Sequence, residues 1–455
     1  MLYASGTFGS QVMSRSLDLW IVFFFAPPAD ADIARRGATI AVGAVLALAR
    51  IVEAFDGPLI GYLSDRTRSP WGRRAPYVIA GTPLLCLAFF LLWVPPDAEP
   101  SVLNLVYLGG VAWAFHFFGS VSGRPFEALL PDVAAGARPL EVVAWQVRFG
   151  VAGAALALVG TPLVVDAWGF QAMAALVAVA ALASRYIGMA GAWRATAGEG
   201  PRPSGDAAAV RTAPFRGAVW ACLRHRAFMA FVAAFVLYGV GAELMTGALP
   251  FLVREVLEQG RVASGFPIPG TSWRVPLLAA MNAVAIAVLL AGLHVVDRLA
   301  EEHGHAWVLA RGMRLAAAFY PFLFFLGFVP GVPMALEALA FAAALGVVIA
   351  PLVTLPNAMM IDIIAAASEQ TGARREAMFF ATWVLLQKLA AAPAPLLLAS
   401  LLAMGSTSED PFGIRLVGPA AAACVVIGLV AFRAYDLDEE RARREHGTTG
   451  RPAGA

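Results

Sequence analysis

Runs of about 20 mostly apolar residues recur along the chain, separated by short polar stretches, and that is the length one helix needs to cross a hydrocarbon core. About twelve such runs can be placed. Six lie near residues 5–25, 38–62, 77–94, 102–130, 141–165 and 168–191, and six more near 228–253, 275–296, 309–329, 334–361, 377–403 and 414–435. The pattern predicts an all-α membrane protein with twelve transmembrane helices in two six-helix bundles, at 1–191 and 228–435. Between the bundles, residues 192–227 are rich in Pro, Gly and Arg and predict a cytoplasmic linker loop; the charged residues 436–455 predict a cytoplasmic tail. A faint repeat supports the division. "SDRTRSPWGRRAP" follows the second run and "VDRLAEEHGHAW" the eighth, as expected for a two-lobed secondary transporter.

Composition strengthens the membrane reading. Of 455 residues, 60% are hydrophobic and 14% charged, more apolar surface than soluble domain cores would hide. The net charge of +2, with arginines scattered between apolar runs, excludes a nucleic-acid partner. Cys86, Cys222 and Cys424 are too far apart for a CxxC pair and read as free thiols. The N-terminal stretch lacks a basic start and a cleavage site, so it reads as an uncleaved first span. Arg66, Arg68, Arg73, Arg74, Arg194, Arg202, Arg211, Arg216, Arg224, Arg226, Arg374 and Arg375 collect on one side, against only Arg35, Arg36, Arg254, Arg261, Arg274 and Arg415 on the other. The first side is therefore expected to be cytoplasmic, with both termini there, in a multi-pass protein of the cell (inner) membrane.

Ionisable residues inside the runs are the candidate chemistry, because a charge at membrane depth is costly and usually functional. Gln11, Arg15 and Asp18 share one helical face in the first run, and Glu53 and Asp56 stand one turn apart in the second. Arg124 and Glu127 lie in the fourth, Arg148 in the fifth, Glu243 in the seventh and Lys388, the chain's only lysine, in the eleventh. At about 1.5 Å per residue, Glu53 and Lys388 each lie about 18 Å from the arginine-rich side, so opposite charges stand at similar depth and an ion pair between the lobes is geometrically open to them. Static readings stay open: Arg15–Asp18 and Arg124–Glu127 as intrahelical pairs, Glu243 in an outer vestibule, Lys388 as a fixed lock. A lysine suits a cation that is released during a cycle, since its ammonium gives up its proton on burial far more readily than a guanidinium does.

The stretch "RIVEAFDGPLIGYLSDRTRSPWGRRAPY" resembles the signature of the glycoside–pentoside–hexuronide:cation symporters, typified by melibiose permease, within the major facilitator superfamily. A second match is "LPNAMMIDIIAAASEQTGARREAMFFATWVLLQKLAA", which places Asp362, Gly372, Arg374 and Lys388 at family positions; "RPFEALLPDV" is a looser third. The resemblance implies cation coupling through Glu53, Asp56, Ser120 and Lys388. It implies a substrate site among Gln11, Arg15, Asp18, Gly123, Arg124, Glu127, Arg148 and Lys388, and gating at Gly61, Asp65, Arg66, Gly72 and Arg73. The departures fall in the site itself. The second acid of the coupling motif falls on Gly57, the two sugar-binding aspartates on Gln11 and Gly123, and the stacking aromatic on Glu127. The guanidinium and ammonium groups that remain suit an anionic solute such as a hexuronide or a lipid phosphate.

The sequence thus points to cation-coupled symport of a small organic solute of the sugar, glycoside or uronide class by alternating access. The alternatives are a lysolipid or other amphiphilic anion symporter, or a non-transporting assembly factor of the same fold. No GxxxxGK[ST] motif, metal cluster or nucleophile constellation is present, so no cofactor and no enzymatic activity are expected. The expected coupling ion is a proton, with sodium as the alternative, and the expected state is a monomer whose partners are the solute, the cation and the bilayer.

Overall fold

The computed structural model describes residues 1–29, 31, 33–67, 69–134, 139–196, 220, 222–259, 265–267, 274–328, 330–371 and 376–435. Most of the predicted linker, the charged tail, Arg68, Gly372, Arg374 and Arg375 lie outside the described residues.

The first half contains α1 (Gly6–Phe25), α2 (Thr39–Arg66), α3 (Ala75–Leu91), α4 (Val102–Glu127), the short α5 (Leu130–Ala134), α6 (Pro139–Ala155) and α7 (Thr161–Thr196). The second contains α8 (Arg226–Phe251), α9 (Leu277–His303), α10 (His305–Phe319), α11 (Met334–Thr371), α12 (Glu376–Ala391), α13 (Ala394–Leu402) and α14 (Phe412–Phe432). The helices fill the twelve predicted spans. The fifth span is α6 continued through a wide π turn at Leu156–Gly160 into α7, and the sixth follows a break at Gly169, whose φ of 80° is left-handed. The eleventh is split into α12 and α13 by Ala392 and Pro393. A two-residue hairpin, Phe266–Pro267 against Arg274–Val275, lies between α8 and α9 and was not legible in the pattern.

Local chemistry sets several of these boundaries. Ser101 caps α4 by accepting the Asn104 N–H, and His225 caps α8 by accepting the Phe228 N–H. Gly304, at φ 84°, reverses the chain between α9 and α10. Among the described residues, eight helical stretches, from Val102–Glu127 to Phe412–Phe432, are long and apolar enough to cross a membrane. The charged α1 and α2 fall outside that set, and α3 has only 17 residues. Apolar side chains such as Val106, Val179 and Ile427 point outward, where hydrocarbon replaces water as the solvent.

The two halves meet along α1, α2, α8 and α13, from mid-helix to the end opposite the arginine-rich loops. A methyl group placed on Gly43 of α2 would stand 2.5 Å from the Ala399 Cβ and 2.7 Å from the Pro395 carbonyl oxygen of α13, so the backbones lie flush. Nearby, the Phe23 and Phe251 rings pack edge to face at 5.0 Å, and Asn282 of α9 donates to the Leu158 carbonyl at 2.8 Å. Toward the arginine-rich end the surroundings open: a methyl on Gly61 or on Gly123 would meet nothing within 4 Å.

Candidate functional site

Where the halves join at mid-depth, α2 presents two charged side chains one turn apart, and each is held from both sides. Arg50 donates to Asp18 Oδ1 of α1 at 2.7 Å and to Glu243 Oε2 of α8 at 2.7 Å. Glu53 accepts from Lys388 Nζ of α12 through Oε1, and its Oε2 lies 2.8 Å from His116 Nδ1 of α4. Each α2 group therefore has one partner in its own half and one across the divide. The positions follow from helix geometry, because residues three apart on α2 share a face, and that face is turned to the seam. Side-chain exposures of 13–28% for Arg50, Glu53, His116, Glu243 and Lys388 place these charges in a part-buried environment. Stripping water from ions is costly there, so each charge depends on its partners, and deleting one partner strands the other.

Asp18 is shared. Its Oδ2 lies 3.5 Å from Arg15 Nη1, so the intrahelical pair exists, but the shorter and better buried contact is with Arg50. Glu243 does not stand alone in a vestibule; it is one end of the bridge from α1 through α2 to α8. Asp56 lies one turn beyond Glu53, and its Oδ2 is buried with no hydrogen-bond partner among the described residues. Ser120, one turn after His116 on α4, is buried. On α12 the Thr382 Oγ1 is likewise buried without a partner among the described residues.

The remaining predicted site residues are dispersed. Gln11 packs its side-chain carbons against α6, 3.2 Å from where a Gly153 methyl would sit. Arg124 and Glu127 form their own i,i+3 pair at 3.1 Å, with the Glu127 side chain 63% exposed. Arg148 is exposed, and its guanidinium stands 4.8 Å from the Trp145 ring centroid. Gly123 contributes open space beside α4. Arg66, the last residue of α2, and Arg73 in the α2–α3 loop are exposed, and Gly72 takes φ 91°. The side chain of Asp65 is outside the described set. It is Arg74 that anchors this loop, donating to the Ala128 carbonyl and lying 3.2 Å from Asp132, all within the first half. Asp362, the family-position acid after α11's midpoint, pairs with His305 of α10 at 2.8 Å.

Two members of the clasp were not singled out by sequence reasoning. Arg50 stands three residues before Glu53, the spacing that separates Arg15 from Asp18, and lies about 24 Å from Arg66 along the helix. His116 is the one histidine well inside a span, and it stands eleven residues from Glu127, too far along the helix for the two to act together. Its partner is on α2. The described residues hold no group of three or more His, Cys, Asp and Glu side chains arranged for a metal ion. What the arrangement does is pair opposite charges across the seam between the two halves.

The comparisons agree with this architecture. A family model described as "MFS/sugar transport protein" matches residues 2–411. An uncharacterised symporter of Synechocystis is 29% identical over 165 residues, which is 35% of this chain and 29% of the relative. The lactose permease of Lactobacillus delbrueckii subsp. bulgaricus is 29% identical over 151 residues, 32% of this chain and 24% of that protein. The matched stretches thus span less than a third of either relative. Among solved structures, a POT family transporter in complex with 5-aminolevulinic acid superposes with a TM-score of 0.66 at 13% identity, covering 94% of both chains. At that identity the likeness speaks for the fold. With the family model running almost from end to end, the chain belongs to the MFS/sugar transport proteins of the major facilitator superfamily.

Proposed function

We propose that the protein is a secondary active transporter that couples the movement of a small organic solute, of the sugar, glycoside or uronide class, to a cation by alternating access. The observation that carries this reading is the double clasp on α2: Arg50 and Glu53 each keep a partner in their own half and a second partner across the seam. Such a joint has two stable arrangements, since parting the halves leaves neither α2 charge unpaired. Rocking of two bundles about a midplane site is how transporters of this build expose it alternately to the two sides. Kinship with a lactose permease favours a sugar-like solute. Gln11, Arg15 and Asp18 on α1, with Arg124, Glu127 and Arg148 on α4 and α6, supply hydroxyl-binding and anion-binding groups for it, and the arginines favour a uronide over a neutral galactoside. The arginine-rich end is taken as cytoplasmic, with the halves closed at the outer end.

Coupling is assigned to Glu53, Asp56, Ser120 and Lys388, and the ion to a proton. A sodium site needs several fixed oxygen ligands at short range, and Gly57 offers none where the symporter signature has an acid. The test is uptake into proteoliposomes of radiolabelled lactose, a methyl glucuronide and a lysophospholipid under imposed gradients. Accumulation of one of the two sugars driven by an inward proton gradient in sodium-free buffer is the expected result, and Glu53→Gln should retain only downhill exchange. Uptake that follows sodium and ignores pH would overturn the proton assignment. Uptake of the lysophospholipid alone would overturn the solute class, and transport of none of the three would overturn the reading as a transporter of these solutes.

A further inference from the structure

The partners of Glu53 are unequal in kind. Lys388 approaches from the second half on α12, whereas His116 belongs to the first half, on α4, which packs along α2. When the halves part, the ammonium leaves with α12 and the imidazole stays. Resting on the transporter reading above, we propose that His116 takes up the proton that replaces Lys388 beside Glu53, so that the charge on one imidazole sets whether the outer clasp holds.

The net charge is the same in both states, so it is the local loss of the ammonium beside Glu53 that favours it. The mid-depth cluster holds three fixed cations, Arg15, Arg50 and Lys388, and four carboxyl groups, Asp18, Glu53, Asp56 and Glu243, for a formal 3 − 4 = −1 with a neutral imidazole. After parting, Lys388 and Glu243 remain with the second half and balance each other. The first half keeps Arg15 and Arg50 against Asp18, Glu53 and Asp56, which is 2 − 3 = −1. One proton on His116 brings that half to zero, at a nitrogen already 2.8 Å from the carboxylate that has lost its ammonium. A cation at that nitrogen also repels Lys388 while the clasp is shut. By linkage, a proton that binds the parted state better than the clasped state must shift the population toward it.

The surroundings of His116 name the competitors. α2 presents Arg50, Glu53 and Asp56, and α12 presents Lys388. The other helix against α4 is α3, whose titratable side chains are Tyr77, bonded to the Thr67 hydroxyl at 2.8 Å, and the buried thiol of Cys86. On α4 itself Tyr107 is bonded to the Leu91 carbonyl, and Arg124 and Glu127 pair with one another. Of all these groups the rival takers of the proton are Glu53 itself, once its ammonium has gone, and Asp56. The His116 side chain is 13% exposed, so protons reach it without unfolding. Imidazole is also the side chain whose charge ordinarily changes between about pH 5 and 8.

The test needs no substrate. The full chain, with Cys86, Cys222 and Cys424 changed to alanine, is spin-labelled at Val102→Cys and Met404→Cys, two exposed positions at the outer end of opposite halves, and placed in nanodiscs. Pulsed EPR distances are recorded between about pH 8 and pH 5. The parted, long-distance fraction is expected to rise as pH falls. His116→Gln, which still donates to Glu53 but cannot charge, is expected to lose that response, with circular dichroism reporting intact helix. His116→Asn serves as the second variant should Gln misfold. Lys388→Gln is expected to be parted at every pH. A His116→Gln protein that titrates like the parent, or a response abolished by Asp56→Asn alone, overturns the assignment. Because no solute is present, failure here leaves the transport test standing, and failure of that test leaves these distances standing.

Discussion

Arg50 shows at the scale of single residues how much one side chain can hold. Its guanidinium joins α1, α2 and α8 by two charge-assisted bonds of 2.7 Å. Arg50→Ala would strand Asp18 and Glu243 in a part-buried seam, a loss of about 3–5 kcal/mol by the usual cost of breaking a buried ion pair. We expect a clear drop in the unfolding midpoint in detergent, and substantial recovery when Asp18→Asn and Glu243→Gln are added, because no uncompensated charge is then left. A triple variant no more stable than Arg50→Ala would mean that the guanidinium acts through packing. Arg50→Lys should recover only part of the loss, since an ammonium does not present the planar fork that reaches both acids. Sequence reasoning reached part of this picture. Equal depth for Glu53 and Lys388 was readable from a constant rise per residue, and the two do meet. Arg50 and His116 escaped because their partners lie on other helices. Which helix faces which is decided by the rotation of each helix about its axis and by the closeness of the two bundles, and neither is written in spacing along one chain.

Among the helices, α2 and the split span α12–α13 form the joint between the halves. α13 lies flush on α2 because Gly43 lacks a side chain, while α12 carries Lys388 at its end, next to the break at Ala392 and Pro393. Backbone atoms on α13 cannot yield to an added side chain as a flexible tip would. Gly43→Leu is therefore expected to hold the outer end apart. Labelling of a cysteine placed at Ala47, buried one turn after Gly43 on the same face, by a membrane-impermeant maleimide should rise severalfold over the parent, with the native cysteines removed in both. Unchanged labelling would show that α13 moves aside as a unit. The spans themselves were legible from hydropathy because apolar length is a local property. The breaks inside them were not. The π turn at Leu156–Gly160 and the division at Ala392 are set by what packs beside them, and Pro351 and Pro356, which look like breakers, sit inside a continuous α11.

For the whole molecule, an even number of spans would place both ends of the chain on one side, and we propose from the arginine asymmetry that this side is the cytoplasm. Epitope tags at the two termini should be protected in intact cells and exposed together on lysis; exposure of either tag on intact cells would reverse the orientation and with it the identity of the clasped end. The fold also offers chemistry a single address. Lys388 is the only lysine, and its amino group is held against Glu53 at the seam. An acylating reagent therefore finds one ε-amine in the entire chain, and a salt-bridged ammonium is a poor nucleophile until its carboxylate lets go. A lysine-specific protease cuts at that same residue and nowhere else, and acylation blocks the cut. After a brief acylation and denaturation, the ratio of whole to cleaved chains on a gel counts the molecules whose halves had separated, turning a conformational equilibrium into two bands.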